Sequence, residues 1–339
     1  MTDGENRRTV RIVVAWATLG GALYTILAGS GGLLSNLVQG AVTGACVARP
    51  LIWFDMTYLY TDYGERLRRA SFPVAAAVKL TFYLVVIVSA IILTEMVFDQ
   101  RSLKTIVTQP AFLGHIVFAL FAATFVNFLL LVRRMLGRRA LWEFVTGHYH
   151  RPRLEERVFL MIDLDGSTAA AERLGHLRFL QFLRQFFFDI SQPILECEGD
   201  VYKYVGDEVI VTWPLSMATR EANCVRCYFL ILNRLNQLRL RYIESFGMVP
   251  RFHAALHAGP VVAGEIGDFK QEVAFVGDTI NTAARVEQVC AELGRPFLAT
   301  AAIVDRLTLP WDVRVERLGP VQLRGKGEPI ELCAVSRLA

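Results

Sequence analysis

Two aspartates carry the first chemistry in this chain. Asp163 closes the apolar run "RVFLMIDLDGST", and Asp207 sits in the turn of "YKYVGDEVIV", where alternating apolar residues around Gly206-Asp207 read as a two-stranded hairpin. Carboxylates held close together repel and raise one another's pKa unless a cation lies between them. Magnesium suits such a place, being a hard ion that takes carboxylate oxygen and commonly binds through one or two protein carboxylates plus substrate phosphates. Taken singly, each aspartate also reads as a turn former, and Asp165 in the same turn is assigned that role. Asn281 and Arg285 lie four apart in the helical pattern "DTINTAARVEQVCAEL", hence on one face. For Arg285 alone, a surface salt bridge is the plainer reading. Lys326 in "RGKGEP" and Arg295 in "LGRPF" are basic residues in turns, which are ordinarily solvated.

The elements that must position these groups follow from periodicity. The strand ending at Asp163 leads into a helical pattern through "AAAERLGHLRFLQFLRQFFFDISQPILE". The hairpin comes next, then a helix over 219–245, the strand "FHAALHAG", the turn-rich "GPVVAGEIG", the strand "EVAFVG" and the helix with Asn281 and Arg285. Strand, helix, strand, strand, helix, strand is the split βαβ order. In that sheet the first strand and the hairpin are central neighbours, so Asp163 and Asp207 can converge at one end.

The half before residue 133 has a different character. Hydrophobic residues make up 53% of the 339, and the excess is concentrated there. Apolar stretches at 12–28, 33–59, 73–98 and 112–132 are each close to or above the roughly 17–25 residues a helix needs to span a bilayer. An all-α transmembrane domain of four spans over 1–132 is predicted. Arg7, Arg8 and Arg11 precede the first stretch, Arg66, Arg68 and Arg69 follow the second, and Arg133, Arg134, Arg138 and Arg139 follow the fourth. The positive-inside rule then puts both termini in the cytoplasm, with Arg101 and Lys104 running against it. The first stretch also has the features of a signal peptide, but further spans follow at once, so it is read as a retained helix. Lys79 and Glu95 are expected to snorkel to the interface. Arg49 marks either an early end to its span or a buried polar site. His115 has no second histidine in the spans to share a haem. Residues 133–156 form a basic, helical juxtamembrane connector that ends at Arg151-Pro152, read either as a mechanical link or as a tether.

The remaining totals exclude more than they assign. A net charge of +4, clustered beside apolar segments, suits lipid headgroups better than a nucleic-acid groove, so no nucleic-acid partner is expected. "CVRC" has no second pair or properly spaced histidine to complete a zinc site and reads as two cysteines on one helix turn.

Over residues 157–339 the sequence resembles the class III nucleotidyl cyclases, which make cyclic AMP or cyclic GMP. "FLMIDLDGST", "KYVGDEVIVTW", "ALHAGPVVAGEIG" and "VGDTINTAARVE" match together in order and spacing. The resemblance implies an α+β, ferredoxin-like catalytic domain in which Asp163 and Asp207 hold two metal ions per site, Mg2+ or Mn2+, with the Leu164 carbonyl also near a metal. One ion would help the ribose 3′ hydroxyl attack the α-phosphate, while the other stabilises the leaving pyrophosphate. Lys203 falls at the position that reads adenine in adenylyl cyclases, where guanylyl cyclases usually carry an acid; this favours ATP. The matching asparagine, Asn281, orients the ribose, and the matching arginine, Arg285, stabilises charge on the α-phosphate. Lys326 and Arg295 are candidate triphosphate contacts. The second adenine-reading position, commonly Asp or Thr, is Ala274 here, which offers no side-chain hydrogen bond; backbone or water could take its place. Ser167 replaces the phenylalanine of the commoner "GFT" form, a packing variant.

In this family the active sites lie between two cyclase domains, one supplying the metal-binding aspartates and the other the base-reading lysine, asparagine and arginine. This chain carries both sets, so a homodimer with two shared sites is implied. The expected protein is a multi-pass, inner (plasma) membrane adenylyl cyclase for intracellular signalling, its catalytic domain cytoplasmic, with an unidentified membrane ligand or stimulus left open. The alternatives are a guanylyl or relaxed-specificity cyclase, a membrane receptor with a nucleotide-binding pseudo-cyclase domain, and a small transporter with an appended domain.

Overall fold

A computed structural model of the chain describes residues 14–15, 17–23, 33–56, 72–100, 102–136, 147–269 and 271–338. They divide into two compact units, Met1–Val132 and Arg133–Ala339. Part of the 12–28 stretch, the arginines at 66, 68 and 69, and 137–146 of the connector lie outside the described residues.

The first unit is helical. Its elements are a helix within 17–23, then α1 (Leu33–Met56), α2 (Phe72–Phe98), the short α3 (Leu103–Thr108) and α4 (Pro110–Leu136), which runs past the unit boundary. Among the described residues two helices are long and apolar enough to cross a membrane, Leu34–Asp55 and Val74–Phe98; a shorter apolar stretch, Phe112–Phe128, lies in α4. Leu84, Val85, Leu93, Phe121 and Phe128 are among the many large apolar side chains these helices leave exposed. Water does not favour such faces, whereas hydrocarbon does. Gly21 and Gly44 let the 17–23 helix approach α1 so closely that a Cβ on either would lie 2.2 Å from a carbonyl oxygen of the other.

Lys79 and Glu95 pair with neighbouring helices, which corrects the expected snorkelling. Lys79 Nζ lies 2.8 Å from Asp55 Oδ1 and also donates to Asn127, while the Tyr83 hydroxyl donates to Asp55. Glu95 is buried, with His115 Nδ1 3.5 Å away. In apolar surroundings a charge is cheaper paired with a neighbour than alone, and partners on adjacent helices were within reach.

The second unit is built on an eight-stranded mixed sheet. Its strands are β1 (Arg153–Leu164), β2 (Asp200–Val205), β3 (Glu208–Pro214), β4 (Phe252–Ile266), β5 (Glu272–Val276), β6 (Phe297–Thr300), β7 (Val313–Val321) and β8 (Ile330–Arg337). β1 starts four residues inside the segment expected as connector. The order is β2-β3-β1-β4-β6-β8-β7, with β5 paired to β4. β1 is antiparallel to both β3 and β4, which places it at the centre of a split βαβ arrangement. Helices α5 (Ser167–Leu174) and α6 (His176–Glu196) connect β1 to β2; α7 (Leu215–Thr219), α8 (Asn223–Gln237) and α9 (Arg239–Phe246) connect β3 to β4. α10 (Asp278–Glu292) follows β5, and the short α11 (Ala301–Val304) follows β6.

Both faces of β1 are buried, so its sequence is a continuous apolar run rather than an alternation. Val158, Leu160 and Ile162 join Phe182 and Phe186 of α6 in one core; Phe159 and Met161 join Ala283 and Val286 of α10 in the other. The helix expected over 219–245 is interrupted by a 3-10 turn at Arg220–Ala222, where Glu221 and Ala222 both take φ +48. "GPVVAGEIG" is not a turn: β4 runs unbroken through Gly259 and Pro260. Glycine serves close packing there, since a Cβ at 259 would lie 2.7 Å from Thr279 Oγ1 on α10.

Candidate active site

Strand register assembles an acidic cluster at one end of the sheet. Asp163 is the penultimate residue of β1, and its ladder partner on β4 is His253. On the other side of β1, the β2–β3 hairpin turns through Gly206 and Asp207. Gly206 has φ +66, the backbone that mirrored hairpin turns require and that glycine adopts without strain. Asp165, just past β1, is fixed by its N–H donating to the Arg251 carbonyl at 2.9 Å. Leu164 between them is buried in the core.

His253 answers this negative charge. Its Nε2 lies 2.5 Å from Glu287 Oε1 and 3.9 Å from Asp163 Oδ2, and its Nδ1 lies 2.5 Å from Asp165 Oδ1. The Glu287 hydrogen bond, reinforced by Asp165, raises the imidazole to about 9 against the opposing effect of burial. It does not neutralise the cluster. Burial first, then Asp207 and Glu287, push Asp163 up to about 6. Burial, then Glu287, Asp163 and Asp207, push Glu208 up to about 7. Carboxylates that burial and then mutual repulsion hold toward the neutral form, gathered at one end of the sheet, fit a hard divalent cation. Ligand atoms of Asp163, His253 and Glu287 also lie within 4.8 Å of one another. Since two carboxylates already engage His253, it fits the role of counter-charge better than that of ligand.

The basic and amide groups occupy other places. A β-bulge between Val201 and Lys203 re-aims Lys203, whose Nζ meets Glu272 Oε1 of β5 at 3.0 Å and raises the lysine pKa. Ala274 is buried two residues along the same strand. Asn281 is exposed on α10, its Nδ2 donating to the Gly277 carbonyl at 3.4 Å. One turn on, the Arg285 guanidinium lies under the 324–327 loop, where a Cβ at Gly325 would come within 3.2 Å of it. Lys326 from that loop bonds to Asp278 at the start of α10. Arg295 stands apart, paired with Glu316 of β7 at 2.9 Å. Among the described residues no hydrogen bond or ion pair joins Lys203, Asn281 or Arg285 to Asp163 or Asp207.

His253 and Glu287 escaped the reading of the sequence, and Glu208, one of the charges in the hairpin, had no role assigned to it. Glu287 left a signal, because it lies on the stripe that Ala283, Val286 and Cys290 bury, where a carboxylate needs a reason. His253 left none short of the β1–β4 register.

The profile described as "Adenylate and Guanylate cyclase catalytic domain" matches residues 151–333. Adenylate cyclase 2 of Rhizobium meliloti (strain 1021) is 34% identical over 331 residues, spanning 96% of this chain and 90% of that protein. Retinal guanylyl cyclase 2 of Homo sapiens is 32% identical over 138 residues, 38% of this chain and 12% of that one. A bacterial light-regulated adenylyl cyclase shares the fold, with a TM-score of 0.55 at 20% identity over 65% of this chain and 64% of that one. The acid cluster at the end of β1, the hairpin beside it and the helix carrying Asn281 and Arg285 all lie inside the matched span, and the chain belongs to the adenylate and guanylate cyclase family.

Proposed function

We propose that this chain is a membrane-integral adenylate cyclase that converts ATP to 3′,5′-cyclic AMP and pyrophosphate at sites shared by two copies. The observation that carries the reading is the acid cluster in which Asp207 and Glu287 help push Asp163 up to about 6, in a domain that also bears Lys203. Asp163 and Asp207, with the Leu164 carbonyl, would hold two divalent ions, Mg2+ or Mn2+, which when bound supply Lewis acidity at the 3′ hydroxyl and charge neutralisation on the triphosphate. No protein nucleophile takes part. The ribose 3′ oxygen bonds to the α-phosphorus as the bond to the β-phosphate oxygen breaks, and the hydroxyl proton leaves to water.

Lys203, Asn281 and Arg285 act on the nucleotide held by the other copy's aspartates. Lys203 donates to the adenine edge, Asn281 orients the ribose, and Arg285 meets the charge that develops on the α-phosphate. Lys326 and Arg295 are assigned to the triphosphate; Lys326 would exchange Asp278 for phosphate, and Arg295 would have to leave Glu316. The separation of the two residue sets within one chain supports the shared site.

The apolar faces of α1, α2 and α4 support a membrane-embedded helical domain, which we read as four spans in the inner membrane with the cyclase domain cytoplasmic. Its ligand or stimulus would act by changing how the two cyclase domains meet, because a small rotation misplaces a shared site.

The test mixes subunits. Purified full-length Asp163→Ala and Arg285→Ala chains are each expected to be nearly inactive with ATP and Mn2+. A confirmed heterodimer of the two regains one whole site and therefore activity; none regained sinks the shared site. A second reading, a guanylate or relaxed-specificity cyclase, is favoured by Ala274 and disfavoured by Lys203, and the same assay with GTP decides it.

A further inference from the structure

A purine's Watson–Crick edge sets hydrogen-bond donors beside acceptors, so a site that reads it needs both. Lys203 can only donate, and the buried methyl of Ala274 offers nothing in return. We propose that Glu272 is the acceptor half of the base-reading pair, set beside Lys203 to do what residue 274 does not. This rests on the reading of Lys203 as the base-facing lysine.

Three observations carry it. Residues 272 and 274 point to the same face of β5, about 7 Å apart, a gap that the long glutamate side chain partly spans. Glu272 Oε1 and Lys203 Nζ are 3.0 Å apart, and both side chains are 38% exposed, so the pair faces outward where a ligand can reach it. An exposed ion pair contributes little to stability, so holding the fold together does not account for it.

The third observation is how the pair is fixed. The bulge that re-aims Lys203 leaves Tyr202 against β5, where the Phe275 N–H donates to the Tyr202 hydroxyl at 3.3 Å. The two rings also meet edge to face, with centroids 5.0 Å apart. β2 and β5 are thereby tied one residue before Lys203 and three residues beyond Glu272, and donor and acceptor are set before a nucleotide arrives.

The chemistry selects adenine. With Lys203 donating to N1, Glu272 accepts from the 6-amino group. Guanine in the same pose turns N1–H toward the ammonium and O6 toward the carboxylate, donor against donor and acceptor against acceptor.

The experiment compares kcat/KM for ATP and for GTP in the full-length chain in detergent, with Mn2+, for wild type, Glu272→Gln, Glu272→Ala and Glu272→Ala/Ala274→Asp. Folding is checked by circular dichroism. The ratio of ATP to GTP is expected to fall by about 10- to 100-fold in both single variants. A carboxylate returned at residue 274 is expected to recover much of it. A purely structural Glu272 would lower both activities together and leave the ratio alone. An unchanged ratio in the near-isosteric Glu272→Gln chain, with wild type active on ATP, overturns this inference and leaves the cyclase reading standing. A folded wild-type chain that cyclises neither nucleotide overturns the cyclase reading, and this one with it.

Discussion

His253 stands opposite Asp163 in the β1–β4 ladder and reaches past it to Glu287 on α10, so that one imidazolium ties a sheet to the helix covering it. Glu287 is only 8% exposed. Its pairing raises the imidazole to about 9, above the ordinary 6.5, so the folded state holds the proton more tightly than the unfolded chain does. Stability from this group is full below pH 6.5 and lost as pH rises through 9, in all about 3 kcal/mol. Chemical denaturation of the cyclase domain between pH 6.5 and 9.5 is expected to show that loss in wild type. In His253→Arg, which keeps its charge across the range, this component should be absent.

The neighbouring acids work in the opposite sense. Asp163, raised to about 6, and Glu208, raised to about 7, both favour the protonated form in the ion-free fold. Their charged forms therefore cost stability as pH rises from the ordinary carboxylate range through those values. A divalent ion relieves this cost but must compete with protons. Mn2+ is expected to raise the melting temperature clearly at pH 8 and little at pH 5, with affinity by Mn2+ electron paramagnetic resonance falling in parallel. Asp163→Ala should remove most of the effect at both pH values.

The sequence made the frame of the second unit legible because each of its signals is local. The apolar run ending at Asp163, the glycine turn before Asp207 and the four-residue spacing of Asn281 and Arg285 each need only a short window. What stayed hidden depends on pairing between distant segments. His253 meets Asp163 only through strand register, and Lys203 meets Glu272 only because a bulge turns it toward β5. Gly259 looked like a turn because glycine usually marks one, whereas here the side chain of Thr279 occupies the space a Cβ would need. Lys79 and Glu95 misled for the same reason: whether a charge reaches outward or inward depends on what the neighbouring helix offers.

Gly325 gives a way to disturb Arg285 without touching it. A Cβ there would lie 3.2 Å from the guanidinium, and the residue sits at φ +72, where alanine is strained. Gly325→Ala should cost about 1 kcal/mol of stability. If Arg285 serves charge that appears only in the transition state, kcat should fall about tenfold or more with KM for ATP nearly unchanged. A rise in KM alone would assign the loop to ground-state binding instead.

Inside the helical unit, Asp55, Lys79, Tyr83 and Asn127 join α1, α2 and α4 through one polar network. Asp55 and Tyr83 are almost fully buried, so removing the lysine strands a carboxylate in apolar surroundings. Lys79→Leu is expected to destabilise the detergent-solubilised chain by about 3 kcal/mol. Adding Asp55→Leu should recover most of that, because two well-packed apolar groups can replace an ion pair nearly without loss. The comparison also separates architecture from signalling. If the double variant regains its melting temperature but its cyclase activity no longer matches wild type, the pair does more than hold the bundle together; if activity returns with stability, packing is its whole contribution.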